Sequence, residues 1–464
     1  MPRISLLDKH IKVILLFFAF AAFFPETEPA AEKVFSLDQL IEMAVQNSPE
    51  LKMAEQDVLS ARSDVKQADA GELPQLDITT VTGPINKARV PTVDLVPTSS
   101  SYGHLQTHES GAMTVFGRLD FTISQPLYTF GKIENRKEAA ILGKEAQEAA
   151  REQKRNEVTL NVKELYYAYL VAAQGKNAAR EADDFIQDAA KRIKRLIELK
   201  AKNADQTDLY RLEAYSAEAK SLKAKADSGA HQAYAALKKA AGIPANVDFR
   251  LDVTELPKAP ATLASEEEYV ATALQQRPEL AQVEKGVEAR KKLADAAQAD
   301  LYPSFFALAT GSLAGAPGRE HFDNSYWNDD FNHAYAGVVA GAEWHFDLGI
   351  GKGKLDKARA EHGKTVAEQE FARQNIPLQV IKYYQDAREA QTAYEAYSDA
   401  AAGSRRWIVS AFTNFDVGVG TAKDMFDAID RYGKNQGEYL SSLYTYHVSL
   451  ARLSYAIGQK EDIH

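Results

Sequence analysis

The 464-residue chain contains no cysteine, so it can form neither a disulfide framework, a thiolate metal site nor a cysteine-linked lipid anchor. After residue 24 it also lacks any apolar run of the roughly 18 residues that a membrane-crossing helix needs; any crossing must then be made by strands. Positive charge is short as well. The 55 Lys and Arg against 65 Asp and Glu give a formal net charge of -10, and no basic face for a phosphate backbone stands out, which disfavours nucleic acid. The charges read instead as solvated helix faces. Missing too are a nucleophile with its base, a paired general acid and base, and a cofactor motif. There is therefore no catalytic or cofactor-binding residue to name, and an enzyme is disfavoured.

What is present is a duplication. Asn47-Ser48-Pro49-Glu50-Leu51 leads to Leu73-Pro74, and Gln276-Arg277-Pro278-Glu279-Leu280 leads to Tyr302-Pro303 over the same interval without a gap. Each copy reads as helix, strand, long loop, strand, long helix, turn and helix. Repeat one covers about 36–242 and repeat two about 265–458, joined by the linker 243–264 with Pro244, Pro257 and Pro260. Because the copies interleave their elements, 32–464 is expected to be a single domain. Ahead of it, residues 1–31 have the layout of a secretory signal: Arg3, Lys9 and Lys12, the apolar run Val13 to Phe24, then a polar stretch to Ala30-Ala31. An uncleaved anchor is the alternative.

Helical spacing runs from Phe35 to Gly71, with Leu37, Leu40, Ile41, Ala44 and Val45 on one side and Ser36 as N-cap. Strict alternation follows at 75–82 and 115–124, where Val115, Gly117, Leu119, Phe121 and Ile123 oppose Phe116, Arg118, Asp120, Thr122 and Ser124. Repeat two has strands at 304–313 and 335–348, the latter turning Ala336, Val338, Ala340, Ala342, Trp344, Phe346 and Leu348 one way. Long loops at 83–112 and 314–334 separate the strands of each pair, and are expected to be the outer-face loops. The segment 131–200 keeps 4-3-4-3 spacing through Val158, Val162, Leu165, Tyr169 and Ala172; at about 1.5 Å per residue it would be roughly 100 Å long. The helices 37–71 and 205–241, end to end, match that length. In repeat two 265–300 plus 424–458 match 352–417, with Pro377 predicted as a kink.

Four strands of about ten residues with one apolar face suit the wall of an outer-membrane barrel. The smallest such barrels have about eight strands, so the chain must oligomerise to remove its open edges. Tyr128, Phe130, Trp344 and Phe346, at the strand ends nearest the helices, would form an aromatic girdle against outer-membrane lipid. A soluble antiparallel sheet is the rival reading, but the helices are too long to cover its apolar face.

The repeated Pro-Glu-Leu, the Leu73-Pro74 and Tyr302-Pro303 strand starts, Gln125-Pro126-Leu127-Tyr128, and Val419-Gly420-Thr421 before Asp424-Met425-Phe426-Asp427-Ala428 together resemble the TolC family of outer-membrane efflux ducts, from about residue 36 to 458. The resemblance implies an α+β membrane protein. In it a long antiparallel α-helical barrel is continuous with a twelve-stranded outer-membrane β-barrel, and two internal repeats per chain are closed by trimerisation. It further implies a periplasmic helical part, a periplasmic adaptor protein and an inner-membrane pump as partners. By the same resemblance, Asp424 and Asp427 line the constricted periplasmic tip; Gly420 and Thr421 beside them, and Asp205 and Asp208 at the other reversing turn, are further candidate tip or cap residues. The arginine that some members carry after Val-Gly-Thr is Ala422 here, and two residues are missing before Asp424, so the resemblance does not extend to the latch that holds the resting tip in those members.

Two other features are weaker. Gly349-Ile350-Gly351-Lys352-Gly353-Lys354 opens a helix after a strand, yet Lys354 stands where either phosphate-binding glycine pattern needs glycine. Phe130-Gly131-Lys132 occupies the equivalent turn, so a strand-to-helix elbow explains both. His104, His108, His321, His333 and His345 lie in or beside the long loops without the spacing of a ligand set, and no metal site is assigned. Asp205 with Asp208, and Asp424 with Asp427, mark the turns where long helices reverse, and capping explains the first pair best. The expected function is a passive exit duct of a tripartite efflux or type I secretion system; a secreted coiled-coil scaffold or binding protein without transport activity is the alternative.

Overall fold

A computed structural model of the chain describes residues 33–88, 92–93, 95–98, 100, 102–103, 105–106, 109–201, 204–258, 262–320 and 329–459. The signal expected at 1–31 and the ring positions of His104, His108 and His321 lie outside the described residues. In chain order the elements are β1 (Lys33–Phe35), α1 (Leu37–Asn47), α2 (Pro49–Ala70), β2 (Gln75–Ala88), β3 (Thr92–Val93), β4 (Leu105–Gln106), β5 (Glu109–Tyr128) and α3 (Lys132–Glu198). They continue with α4 (Gln206–Ala240), β6 (Phe249–Leu251), α5 (Glu266–Gln276), α6 (Pro278–Ala299), β7 (Ser304–Gly315), β8 (His333–Glu343), α7 (Ile350–Asp416) and α8 (Ala422–Ala456). The duplication is visible in the lengths: α3 and α7 have 67 residues each, α4 and α8 have 35 each, and α2 and α6 have 22 each.

The helix expected over 35–71 is two helices. Pro49 has no N–H and takes the first position of α2, while the Ser48 hydroxyl accepts the Leu51 N–H at 3.3 Å, so one helix ends and another starts at Pro-Glu-Leu. The helix expected over 265–300 breaks in the same place. There Arg277 makes no side-chain cap; instead it is buried, bonded to Glu279 at 2.9 Å and lying 5.7 Å from the Tyr455 ring. Pro377 falls within an unbroken α7.

The chain forms two compact units that alternate along the sequence. The first holds residues up to Asn47, Asn161–Ala259 and Ala393–Val448. In it β1 pairs in parallel with β6, Phe35 opposite Leu251, and Phe249 stacks on Tyr234 at 4.9 Å. The linker thus contributes a strand, and Phe35 belongs to a strand rather than to the following helix. Both strands have three residues, too short for periodicity to reveal. The core of this unit is built by the later part of α3, by α4, by the end of α7 and by α8, around Ile193, Leu212, Ile408, Met425, Phe426, Ala428 and Tyr432. Each of these is nearly or wholly buried.

The second unit holds Ser48–Leu160, Pro260–Thr392 and Ser449 onward. Its centre is an antiparallel sheet of order β2-β5-β7-β8. Register rows such as Leu76–Ile123–Ala309–Val338 and Ile78–Phe121–Gly311–Ala336 cross all four strands, so each strand contributes apolar positions to one shared face. That face is bare: Ile78 is 61%, Val115 61% and Val338 80% exposed. The opposite face carries a polar chain in which Arg118 pairs with Asp120 at 2.9 Å, Ser312 donates to Asp120 at 2.6 Å, and His333 contacts Ser312 at 2.8 Å. Strands β2 and β5 are longer than expected, which shortens the first loop, and β3 and β4 form a small antiparallel pair within it. Strand β8 is shorter: it ends at Glu343, so Trp344, Phe346 and Leu348 stand beyond it.

Candidate functional site

Two places gather the residues that the sequence singled out. The first is the pair of turns where long helices reverse, within the first unit. After α3, Lys200 takes a left-handed conformation (φ 54°), and the Asp205 carboxylate accepts the N–H groups of Thr207 at 2.7 Å and Asp208 at 3.2 Å. Asp208 reaches back to accept the Asp205 N–H at 3.2 Å, closing a capping box. After α7, Gly418 (φ 77°) reverses the chain, and Val419 and Gly420 both donate to the Asn414 carbonyl, at 3.0 and 2.9 Å. A side chain at Gly420 would meet the Phe415 nitrogen at 3.1 Å, so the turn needs its close approach.

Thr421 then does what Asp205 does. Its N–H and hydroxyl donate to one Asp424 oxygen at 2.9 and 2.7 Å, and the Asp424 N–H donates back to the Thr421 hydroxyl at 3.2 Å. Helix α8 accordingly starts at Ala422, two residues before the expected start. Sequence reading paired Asp205 and Asp208 with Asp424 and Asp427; the caps pair them with Thr421 and Asp424. The match leaves Asp427 opposite Arg211. The Thr421 hydroxyl, then its N–H, holds the Asp424 carboxyl below its ordinary value. Asp427 is exposed and has no bonded partner among the described residues. Asp430, one turn on, is tied to Lys434 at 2.9 Å.

Groups that the sequence reading passed over tie together the helices that lead into and out of these turns. Arg192 on α3 grips Asp416 on α7 at 2.8 and 3.4 Å, and the nearly buried Tyr432 donates to Glu181 at 2.6 Å. Glu181 also pairs with Arg405 at 2.9 Å. Single charges on helices dozens of residues apart leave no periodic signal, and only tertiary packing brings them together.

The second place is the strand-to-helix elbows of the second unit. At both, a large residue and then a glycine take positive φ: Phe130 (53°) and Gly131 (83°), Leu348 (51°) and Gly349 (133°). Thr129 and Asp347 cap the following helices, with Ile133 N–H donating to Thr129 at 3.4 Å and Gly351 N–H to Asp347 at 2.7 Å. Phe130 stacks on Tyr302 at 5.2 Å and leans on Tyr128 at 4.7 Å, while Trp344 meets Phe346 at 4.6 Å and donates to the Leu301 carbonyl at 3.1 Å. All four expected girdle residues are exposed. His333 is engaged with Ser312 and the Asp329 carbonyl, and among the described residues no cluster of His, Asp or Glu could hold a metal.

The chain matches the model of the outer membrane efflux protein family over residues 40–243 and 270–459, and it belongs to that family. Among solved structures it is similar to CusC, at 20% identity over 92% of this chain and 93% of that one, with a TM-score of 0.72. It is similar too to the outer-membrane channel OprN, at 17% identity over 91% and 89% with a TM-score of 0.73. The open state of the Neisseria gonorrhoeae MtrE outer membrane channel gives 20% identity over 91% and 89%, and a TM-score of 0.71. No curated protein matches the sequence. The fold class is that of these channels, an α+β architecture in two repeats. Membership makes the chain an outer membrane efflux protein and not an enzyme. No helix among the described residues is long and apolar enough to cross a membrane, whereas the sheet offers a bare apolar face.

Proposed function

We propose that this chain is one protomer of a homotrimeric, passive exit duct that takes substrate from an inner-membrane pump and a periplasmic adaptor to the outside, in a tripartite efflux or type I secretion system. The observation that carries the reading is the four-stranded sheet whose edges, β2 and β8, are unpaired among the described residues and whose apolar face is exposed. Unpaired edges in lipid are untenable, so the sheet must close with copies of itself. Three copies supply twelve strands. The girdle of Tyr128, Phe130, Trp344 and Phe346 then sits at the periplasmic bilayer surface, the long helices continue into the periplasm, and the loops between the strand pairs face outward.

The turns carrying Thr421, Asp424 and Asp427 form the constriction. Asp424 and Asp427 are neighbours on one helical face, and threefold symmetry gathers six carboxylates around one axis. Asp424 commits one oxygen to Thr421 and keeps its charge; Asp427 has no bonded partner among the described residues. Such a ring selects cations and takes divalent ions as plugs. Bilayer conductance of Asp424→Ala, Asp427→Ala and the double variant tests it, with reduced cation selectivity and lost divalent block expected, strongest in the double variant, and Asp430→Ala near wild type. Unchanged selectivity in the double variant removes both residues from the pore. Release of the protein by carbonate washing would remove the duct itself.

A further inference from the structure

The duplication fixes register as well as the order of elements. Hairpin β2·β5 sets Gln75 opposite Ser124 and Thr82 opposite Gly117, and β7·β8 sets the matched residues, Ser304 opposite Glu343 and Gly311 opposite Ala336, in the same rows. Strand β2 therefore answers to β7, and β5 to β8. The helices follow: α2 answers to α6 by length and by Pro-Glu-Leu, and α3 to α7 by length and by the elbow. One junction within the chain joins the two repeats, β5 against β7 with α3 against α6. Its counterpart is the junction that β8 and α7 would make with β2 and α2 of another copy, and both of those strands are unpaired on that side among the described residues.

In the junction within the chain, Phe121 lies opposite Gly311 and Ile123 opposite Ala309, and past the elbow Arg136 pairs with Asp300 at 2.9 Å and Lys292 with Glu138. Carried to the outer edges, the strand rows become Ala340 opposite Thr82 and Ala342 opposite Thr80. Thr80 and Thr82 share the bare face with Leu76 and Ile78, and Ala340 and Ala342 share it with Val338, so this register runs one face unbroken from copy to copy. A slip of one residue would set polar-face positions beside them. The helix pairs change character. Arg136 answers to Lys354 and Asp300 to Gly71, which Asp69 and Glu72 flank; Glu138 answers to Asp356, but Lys292 answers to Ser63. Lys354, Asp356 and Ser63 are all exposed in the single chain. We propose that neighbouring copies join by repeating the junction between the repeats: β8 pairs with β2 of the next copy with Ala340 opposite its Thr82, and α7 lies along its α2 with Lys354 toward Asp69 and Glu72 and Asp356 toward Ser63. The proposal rests on the trimeric duct proposed above and supplies the surface by which its copies meet. A second copy is the occupant because its β2 and α2 are the duplicates of the β7 and α6 that β5 and α3 already hold within the chain.

The chain has no cysteine, so oxidative cross-linking of the full-length protein in isolated membranes reads the register directly. Ala340→Cys is combined in turn with Ile78→Cys, Thr80→Cys, Thr82→Cys and Pro84→Cys. Within one chain these positions stand on the two outer strands, three strand spacings or about 14 Å apart, beyond disulfide reach. Covalent trimer should peak with Thr82→Cys and fall away on either side. A peak at another position, or no cross-linked species among trimers that withstand carbonate washing, overturns the junction while leaving the duct standing. The helix contact is read by the temperature at which trimers dissociate in detergent. Ser63→Lys, which would restore between copies the pair that Lys292 and Glu138 make within the chain, should raise it, and Ser63→Glu should lower it; in an Asp356→Asn background the two should come together. Equal temperatures for Ser63→Lys and Ser63→Glu with Asp356 in place overturn the contact of α7 with α2. A wild type recovered only as monomers that washing releases overturns the trimeric duct and this junction with it.

Discussion

The turn that opens α4 and the turn that opens α8 begin alike and then part company. Matched at their caps, Asp205 and Asp208 stand for Thr421 and Asp424, and the backbone hydrogen bonds are the same in kind. Two residues later the first copy exposes Tyr210 at 62% while the second buries Phe426 completely. Ser216 in the first copy answers to Tyr432 in the second, and Arg211 to Asp427. Arg211 lies 5.3 Å from the Phe426 ring, so the first copy's cation covers the second copy's aromatic. The duplicated unit therefore retains the device that starts a helix, whereas packing and charge one turn later are free to diverge. The second copy uses that freedom to sink its helix into the core and leave one carboxylate, Asp427, without a partner among the described residues.

The strongest way to break this comparison is to truncate the matched aromatics. Phe426→Ala opens a cavity in the core of the first unit and should cost about 3–5 kcal/mol, whereas Tyr210→Ala should cost less than about 1 kcal/mol. Guanidinium unfolding of the detergent-solubilised variants measures both; equal losses would mean that the two copies are packed alike. Next comes the polar partner on α8. Tyr432→Phe keeps the ring and removes the hydroxyl that donates to Glu181 at 2.6 Å, a bond to a charged group whose loss should cost about 1.5 kcal/mol. Its counterpart Ser216→Ala, which gives up a 3.0 Å bond to Asp183, should cost less than that. Removal of the cap by Asp205→Ala should cost about 1 kcal/mol. Amide exchange at Thr207 and Asp208 reads it, and unchanged protection there would deny Asp205 its capping role.

Much of the fold was legible because long periodic segments carry strong signals. The extents of α3, α4, α7 and α8 were readable to within a few residues, as was the sharing of apolar positions along each strand. The breaks before Pro49 and Pro278 were not, since the apolar spacing of α1 runs on into α2 and proline at a first helical position resembles proline near a start. β1 and β6 escaped because three residues cannot show alternation. At Trp344 the apolar alternation outlasts the hydrogen bonding, so pattern alone placed the strand end too late. The candidate turn residues were legible from family resemblance, but their pairing was not: aspartate spacing matched Asp427 to Asp208, and only hydrogen bonds showed that threonine does in one copy what aspartate does in the other.

The smallest expected effect separates those two caps by pH. In the second copy the Thr421 hydroxyl and N–H favour the ionised Asp424 carboxylate and depress its value in the folded protein. A carboxyl depressed on folding adds stability above its unfolded value and gives it up as the pH falls through the lower folded value. The start of α8 should therefore fray progressively in acid. Asp424→Asn keeps an acceptor for the Thr421 N–H but removes the charge, so it should flatten the acid limb while leaving the neutral structure intact. Hydrogen exchange at Lys423 to Phe426, followed from neutral pH into the acid range, reads the difference. A wild-type profile that coincides with that of Asp424→Asn would show that Thr421 and Asp424 pair by geometry without any help from charge. The carboxylate retained at neutral pH would then have its use outside the cap, in the constriction proposed above.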